Sequence, residues 1–294
     1  MSRIHEALLK AQKQQGIEND LFDLENHPLA GPEPADGSLR ESFEPTPAVS
    51  GTPSVEAVNE KVQSFHECSW EPDKARLVFM KTGLSVGVEE FRSLRSKLLR
   101  ERSQRSLKTI LITGATPGEG KTFVAANLAV AMSRHPDSRV LVIDADLRRS
   151  SLHSVFGMER TPGLSGYLSG AIDDMAIVRQ TPEPQLCVVT AGRESAIPTE
   201  LLHNRRMQQF IEKMSRYFSW IFIDSPPAAS VSDSAVLSEI CDGVIMVIAP
   251  GTQVYVAQKS RKQIGQKILG VVLNRTEDNL TYNYYTQQLK RKKR

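Results

Sequence analysis

Six short apolar runs, each followed by turn-forming residues, most constrain what this 294-residue chain can become. Ile110–Ile112, Val140–Ile143, Leu186–Val189, Ile221–Ile223, Val244–Ile248 and Val271–Leu273 are apolar throughout rather than alternating. A strand with one wet face alternates. A strand buried on both faces does not, and parallel sheets are built from strands of that kind. Between the runs lie stretches with helical spacing, including Thr122–Arg134 and Met207–Phe218. Alternation of strand and helix predicts an α/β layered fold, with a mostly parallel central sheet and helices on both faces.

The regular pattern begins near residue 79 and fades near 278, giving a predicted domain over 79–278. Residues 1–16 read as a short amphipathic helix, with Ile4, Ala7, Leu8 and Ala11 at i, i+3, i+4, i+7. Six prolines lie between Pro28 and Pro53 amid Gly, Ser, Glu and Asp. Such a stretch cannot bury enough apolar surface to offset its ordering entropy, so 17–78 is predicted to be a disordered linker. Residues 279–294 form a tyrosine-containing basic tail.

The loop after the first run reads Ala115-Thr116-Pro117-Gly118-Glu119-Gly120-Lys121-Thr122. This is the relaxed Walker A pattern, with Ala115 where the strict form has Gly, and it defines a P-loop NTPase. Gly118 and Gly120 let backbone N–H groups turn inward around phosphate. The following helix presents its positive end to anionic oxygens. Lys121 reaches the β- and γ-phosphates, and Thr122 is a Mg²⁺ ligand. ATP and Mg²⁺ are therefore the expected cofactors.

Two further apolar runs end in carboxylates. Val140–Ile143 leads into Asp144-Ala145-Asp146-Leu147-Arg148, and residues i and i+2 of a strand face the same way. Asp144 is the first choice for the base that takes the acceptor's proton and Asp146 for a Mg²⁺ ligand, roles that the sequence leaves exchangeable. Trp220–Ile223 ends at Asp224, a Walker B carboxylate for Mg²⁺, and Ser225-Pro226-Pro227 then stops the strand.

Taken together, the P-loop, Asp-x-Asp-x-Arg at 144–148 and Ile-Asp-Ser-Pro-Pro at 223–227 resemble the bacterial tyrosine kinases of capsule and exopolysaccharide export. The resemblance spans roughly 80–278. It takes in Glu89-x-x-Arg92-x-x-Arg95, similar to that family's subunit-contact motif, Val231-Ser232-Asp233, and Gly270–Asn274, where Asn274 is implied to lie beside the base. The opening Met-Ser-Arg-Ile and Glu-Ala-Leu resemble exosortase-associated autokinases. Ser150 stands where the family usually has proline.

The resemblance implies an ATP-dependent tyrosine autokinase that regulates polysaccharide export. It implies catalysis by Lys121, Asp144 and Asp146, and homo-oligomers joined through Glu89, Arg92 and Arg95. It also implies a membrane adaptor of the chain-length-regulator type and protein tyrosine substrates, with Tyr282, Tyr284 and Tyr285 as candidate acceptors. Two rivals share these motifs. A ParA/MinD-type positioning ATPase carries a lysine where this chain has Thr116, which argues against it. A non-catalytic ATP-binding regulator uses the same residues and stays open.

Charge and cysteine usage set the context. The five basic residues Lys290–Arg294 exceed the whole net charge of +3, so the remainder is slightly acidic and nucleic acid is not an expected partner. The three scattered cysteines point to free thiols in a reducing compartment. No apolar run approaches the ~20 residues of a membrane span, and the N-terminus has no signal-peptide core. The expected location is cytoplasmic, peripheral at the membrane through a partner.

Overall fold

In the computed structural model, residues 65–81, 86–183 and 185–276 are described. The predicted helix at 1–16, most of the predicted linker and Tyr282, Tyr284 and Tyr285 lie outside them.

Eight strands form one sheet. They are β1 (His66–Glu67), β2 (Thr109–Gly114), β3 (Val140–Asp144), β4 (Arg179–Gln180), β5 (Leu186–Val189), β6 (Trp220–Asp224), β7 (Gly243–Ile248) and β8 (Ile268–Leu273). Their order is β1-β4-β5-β3-β6-β2-β7-β8. Every neighbouring pair is parallel except β4 with β5. Helices α1 (Val86–Gln104), α2 (Lys121–Ser133) and α3 (Leu152–Phe156) cover one face. The other carries α4 (Leu164–Leu168), α5 (Pro198–His203), α6 (Arg205–Met214), α7 (Asp233–Glu239) and α8 (Val254–Ile264). The predicted class stands.

The central strands are buried on both faces, as their unbroken apolar runs require. Ile110, Leu111 and Ile112 alternate between the two cores, Leu111 on one side and its neighbours on the other. Helix α2 is buried from Val124 to Ser133, being sandwiched between the sheet and α1. Two expectations need correction at this level. The run Val271–Leu273 is as apolar as the rest, yet it forms the sheet edge, with Val271 47% and Leu273 54% exposed. Helix α6 stops at Met214, short of the expected Phe218, because the chain turns at Ser215–Phe218 to enter β6.

A third correction concerns the linker, whose last 14 residues, 65–78, are part of the domain. Phe65 stacks on Phe218, and Trp70 stacks on Phe156 with ring centroids 5.5 Å apart. The Asp73 and Glu71 amides donate to the carbonyls of Val155 and Gly157. Leu77 is fully buried, a contribution of about 1.5–3 kcal/mol for a side chain of its size. This strap has no period of its own because it packs through single anchors, not through one face of a helix or strand.

Candidate functional site

The strand order places the site. β2, β3 and β6 are neighbours, so the P-loop, Asp144–Arg148 and Asp224 all emerge at the same carboxyl edge. Asp144 and Asp224 are direct partners across β3 and β6. Above them opens a cleft of about 710 Å³. Its wall includes Gly118, Gly120, Lys121, Thr122, Asp146 and Asn274.

The P-loop has the backbone its phosphate role requires. Gly118 (φ +83°) and Gly120 (φ +91°) occupy the left-handed region that costs a side-chain-bearing residue most. Gly120 also caps α2, and a Cβ there would collide with the Asn274 amide. Asn274 holds the loop from outside, its Nδ2 donating to the Glu119 carbonyl at 2.9 Å. Glu119 is buried within the loop. Its carboxylate accepts from the Thr116 amide and from the Thr252 hydroxyl, both at 2.8 Å. Lys121 Nζ donates to the Thr116 carbonyl at 3.0 Å. Burial pushes the Lys121 ammonium below its usual range, against the pull of Asp224, Glu119 and Asp146. A desolvated ammonium of this kind gains strongly from an incoming polyanion.

The three carboxylates divide into different environments. Asp144 is fully buried, and its two oxygens accept the amides of Asp146, Ser151 and Leu152. Burial raises its carboxyl to about 7, with the neighbouring Asp146 charge adding to the rise and the amides opposing it. Asp146 lines the cleft itself, and its Oδ1 accepts the amides of Arg148 and Arg149. Asp224 is almost fully buried, and its Oδ2 has no partner among the described residues. Burial first, and the Asp144 charge second, push its carboxyl well up. An orphaned carboxylate oxygen beside a second acid and the Thr122 hydroxyl is the setting in which a hard cation is held. The residues thus fit Mg²⁺. Thr122 Oγ1 accepts from the Ser151 hydroxyl at 3.0 Å, which leaves further lone-pair capacity.

Arg148 also lines the cleft, but its guanidinium is engaged by α5 and α7. Its Nε donates to Asp233 at 2.9 Å and its Nη2 to Thr199 at 2.7 Å. The Thr199 hydroxyl in turn donates to Asp233 at 2.6 Å. The bond to Asp233 holds the guanidinium above its usual range. This network fastens the Asp144–Arg148 loop to α7, which gives Asp233 a structural role the motif alone did not specify.

The other predicted cluster lies on α1. Arg92 pairs with Glu89 on the same helix, both about half exposed. Arg95 Nη1 donates to the Ala131 carbonyl of α2 at 2.8 Å. Sequence reasoning missed Arg76, Ser151, Thr252 and Arg275, of which Arg76, Ser151 and Arg275 line the cleft. Ser151 and Arg275 directly follow flagged motifs. Arg76 sits in the supposed linker and carries no local signal.

Fold and site together define a P-loop nucleotide-binding domain. Residues 110–294 match the family model described as the CobQ/CobB/MinD/ParA nucleotide binding domain. The chain is 34% identical over 203 residues to Tyrosine-protein kinase ptk of Acinetobacter johnsonii, a match that covers 67% of this chain and 27% of that longer relative. It is 32% identical over 215 residues to Tyrosine-protein kinase YwqD of Bacillus subtilis, covering 71% of this chain and 90% of the relative. The kinase domain of Escherichia coli tyrosine kinase ETK superposes with a TM-score of 0.59 at 32% identity, covering 65% of this chain and 78% of that one. The chain belongs to the bacterial tyrosine kinases within the CobQ/CobB/MinD/ParA nucleotide-binding family.

Proposed function

We propose that this chain is an ATP-dependent protein-tyrosine autokinase that regulates capsular or exopolysaccharide synthesis and export. The observation that carries the reading is one cleft lined by the P-loop amides, Lys121, Thr122 and Asp146 above the orphaned oxygen of Asp224. The P-loop N–H groups and Lys121 bind the phosphates of ATP. Thr122, Asp146 and Asp224 would hold Mg²⁺, which when bound would supply neutralisation of the phosphate charge.

A tyrosine hydroxyl oxygen forms the new bond to the γ-phosphorus, the bond to the β-bridging oxygen breaks, and ADP leaves. The hydroxyl proton passes to one carboxylate of Asp144 and Asp146 while the other serves the cation, Asp146 lining the cleft and Asp144 lying fully buried beside it. A carboxyl raised by burial, as that of Asp144 is, suits a proton acceptor that must act near neutral pH. Most of the rate comes from positioning and charge complementarity, since the chain forms no covalent intermediate.

The acceptors in this reading are Tyr282, Tyr284 and Tyr285 of a neighbouring copy, or tyrosines of other proteins. Glu89, Arg92 and Arg95 join the copies. A membrane adaptor of the polysaccharide chain-length-regulator type brings the kinase to the inner face of the membrane. No helix of the described residues is long and apolar enough to cross a membrane by itself. The test is Lys121→Met, which removes the buried phosphate cation. A folded variant without phosphotyrosine supports the assignment, and undiminished labelling overturns it.

A further inference from the structure

We propose that Arg76 is a nucleotide-contacting residue, delivered to the ATP cleft by the 65–78 strap and held there by Asn127 of the P-loop's own helix. This rests on the cleft being the nucleotide site. Arg76 lines that cleft together with Lys121 and Thr122. Arg76 is only partly exposed and forms no salt bridge among the described residues. Arg148, by contrast, is tied to Asp233. A partly exposed arginine at the wall of a phosphate cleft, with no ion-pair partner among the described residues, is set to receive an external anion, and its planar fork suits phosphate oxygens.

The means of delivery is visible. Asn127 is fully buried in the middle of α2 and uses its whole amide. Oδ1 accepts the Val78 amide at 2.8 Å. Nδ2 donates to the Arg76 carbonyl and to the Phe123 carbonyl, each at 2.8 Å. The clamp grips the backbone on both sides of Leu77, which is itself fully buried. Arg76 is therefore fixed in position relative to Lys121, six residues before Asn127 on the same helix. Asn127 acts through Arg76 and is a positioning residue.

The experiment is a titration of the full chain with fluorescent ADP and ATP analogues in the presence of Mg²⁺. Binding is read directly, so the result does not depend on phosphate transfer. Arg76→Ala is expected to weaken binding about tenfold, the scale of a charge-assisted contact, and Arg76→Lys to recover part of the loss. Asn127→Ala is expected to weaken binding similarly, and the double variant to bind no worse than Arg76→Ala alone. Val78→Pro removes the arm of the clamp from the Val78 amide to Asn127 Oδ1 without touching α2, leaving the arm to the Arg76 carbonyl, and Leu77 is already extended (φ −100°, ψ 100°), as a residue before proline must be. It should weaken binding in the same direction as Asn127→Ala but less, and serves in its place if that variant misfolds by circular dichroism. Parent-like affinity in Arg76→Ala, or losses that multiply in the double variant, would overturn the proposal. If the chain binds nucleotide in this Arg76-dependent way but labels no tyrosine, the kinase reading fails and this inference stands.

Discussion

At the scale of single residues, the site is a concentration of buried charge held for a ligand. Asp144 and Asp224 are buried carboxylates pushed upward mainly by desolvation. A carboxyl whose folded value lies above its unfolded value of about 3.9 binds protons better in the folded state. Its stabilisation is complete below the unfolded value and is lost as pH rises through the folded one, here from about 4 to about 7 for Asp144. The ligand-free protein should therefore melt at a higher temperature at pH 6 than at pH 8. Asp144→Asn should flatten that slope, partly by relieving Asp224. A parent slope of the opposite sign, measured by differential scanning fluorimetry, would contradict the electrostatic picture.

Gly120 offers a second test at this scale. Its φ of +91° and the Asn274 amide beside it exclude a side chain. Gly120→Ala should lower stability by about 1–3 kcal/mol in chemical denaturation and abolish nucleotide binding, whereas a variant that binds normally would show that the loop tolerates another backbone. These glycines, Lys121 and the strand-end carboxylates were legible in the sequence because each acts within a contiguous motif. Arg76 was not. Its place depends on Asn127, some 50 residues away in the chain, and no local pattern records a clamp of that range.

At the scale of elements, apolar continuity identified the strands but could not say which one lies outermost. The run in β8 looks like that in β6, yet β8 forms the edge. Helix α1 presents a related ambiguity. The Glu89–Arg92–Arg95 spacing fits both an intrahelical pair and a subunit contact. In the folded chain Arg92 pairs with Glu89, and an exposed pair at i, i+3 contributes only about 0.2–0.5 kcal/mol. Arg92→Ala should therefore leave thermal stability nearly unchanged. Arg95→Ala should cost more, because it removes a bond to the Ala131 carbonyl of α2. If these arginines join copies of the chain, Arg92→Ala should also reduce self-association in sedimentation velocity and lower autophosphorylation. Unchanged association and activity would leave the intrahelical pair as the whole role of Arg92.

At the scale of the whole molecule, the strap that leads into the domain contributes Arg76 to the wall of the cleft. The strap reads as linker in composition because single buried anchors such as Leu77 and Phe65 leave no periodic trace. The tail is where autophosphorylation is proposed to occur. Three phosphates would add roughly −4.5 to −6 charge beside the five basic residues that end the chain. Replacing Tyr282, Tyr284 and Tyr285 by phenylalanine should remove most of the phosphate, as read by phosphopeptide mapping. Undiminished phosphotyrosine in that variant would place the acceptors elsewhere while leaving the kinase assignment intact.

The central claim, that this cleft moves the γ-phosphate of ATP onto tyrosine, is tested most directly by mass spectrometry of the purified full chain after incubation with ATP and Mg²⁺, beside Lys121→Met. The account predicts mass increments of phosphate on tyrosine in the parent and none in the folded variant. Absence of phosphotyrosine in the parent together with its own membrane adaptor, or equal labelling of Lys121→Met, would contradict it.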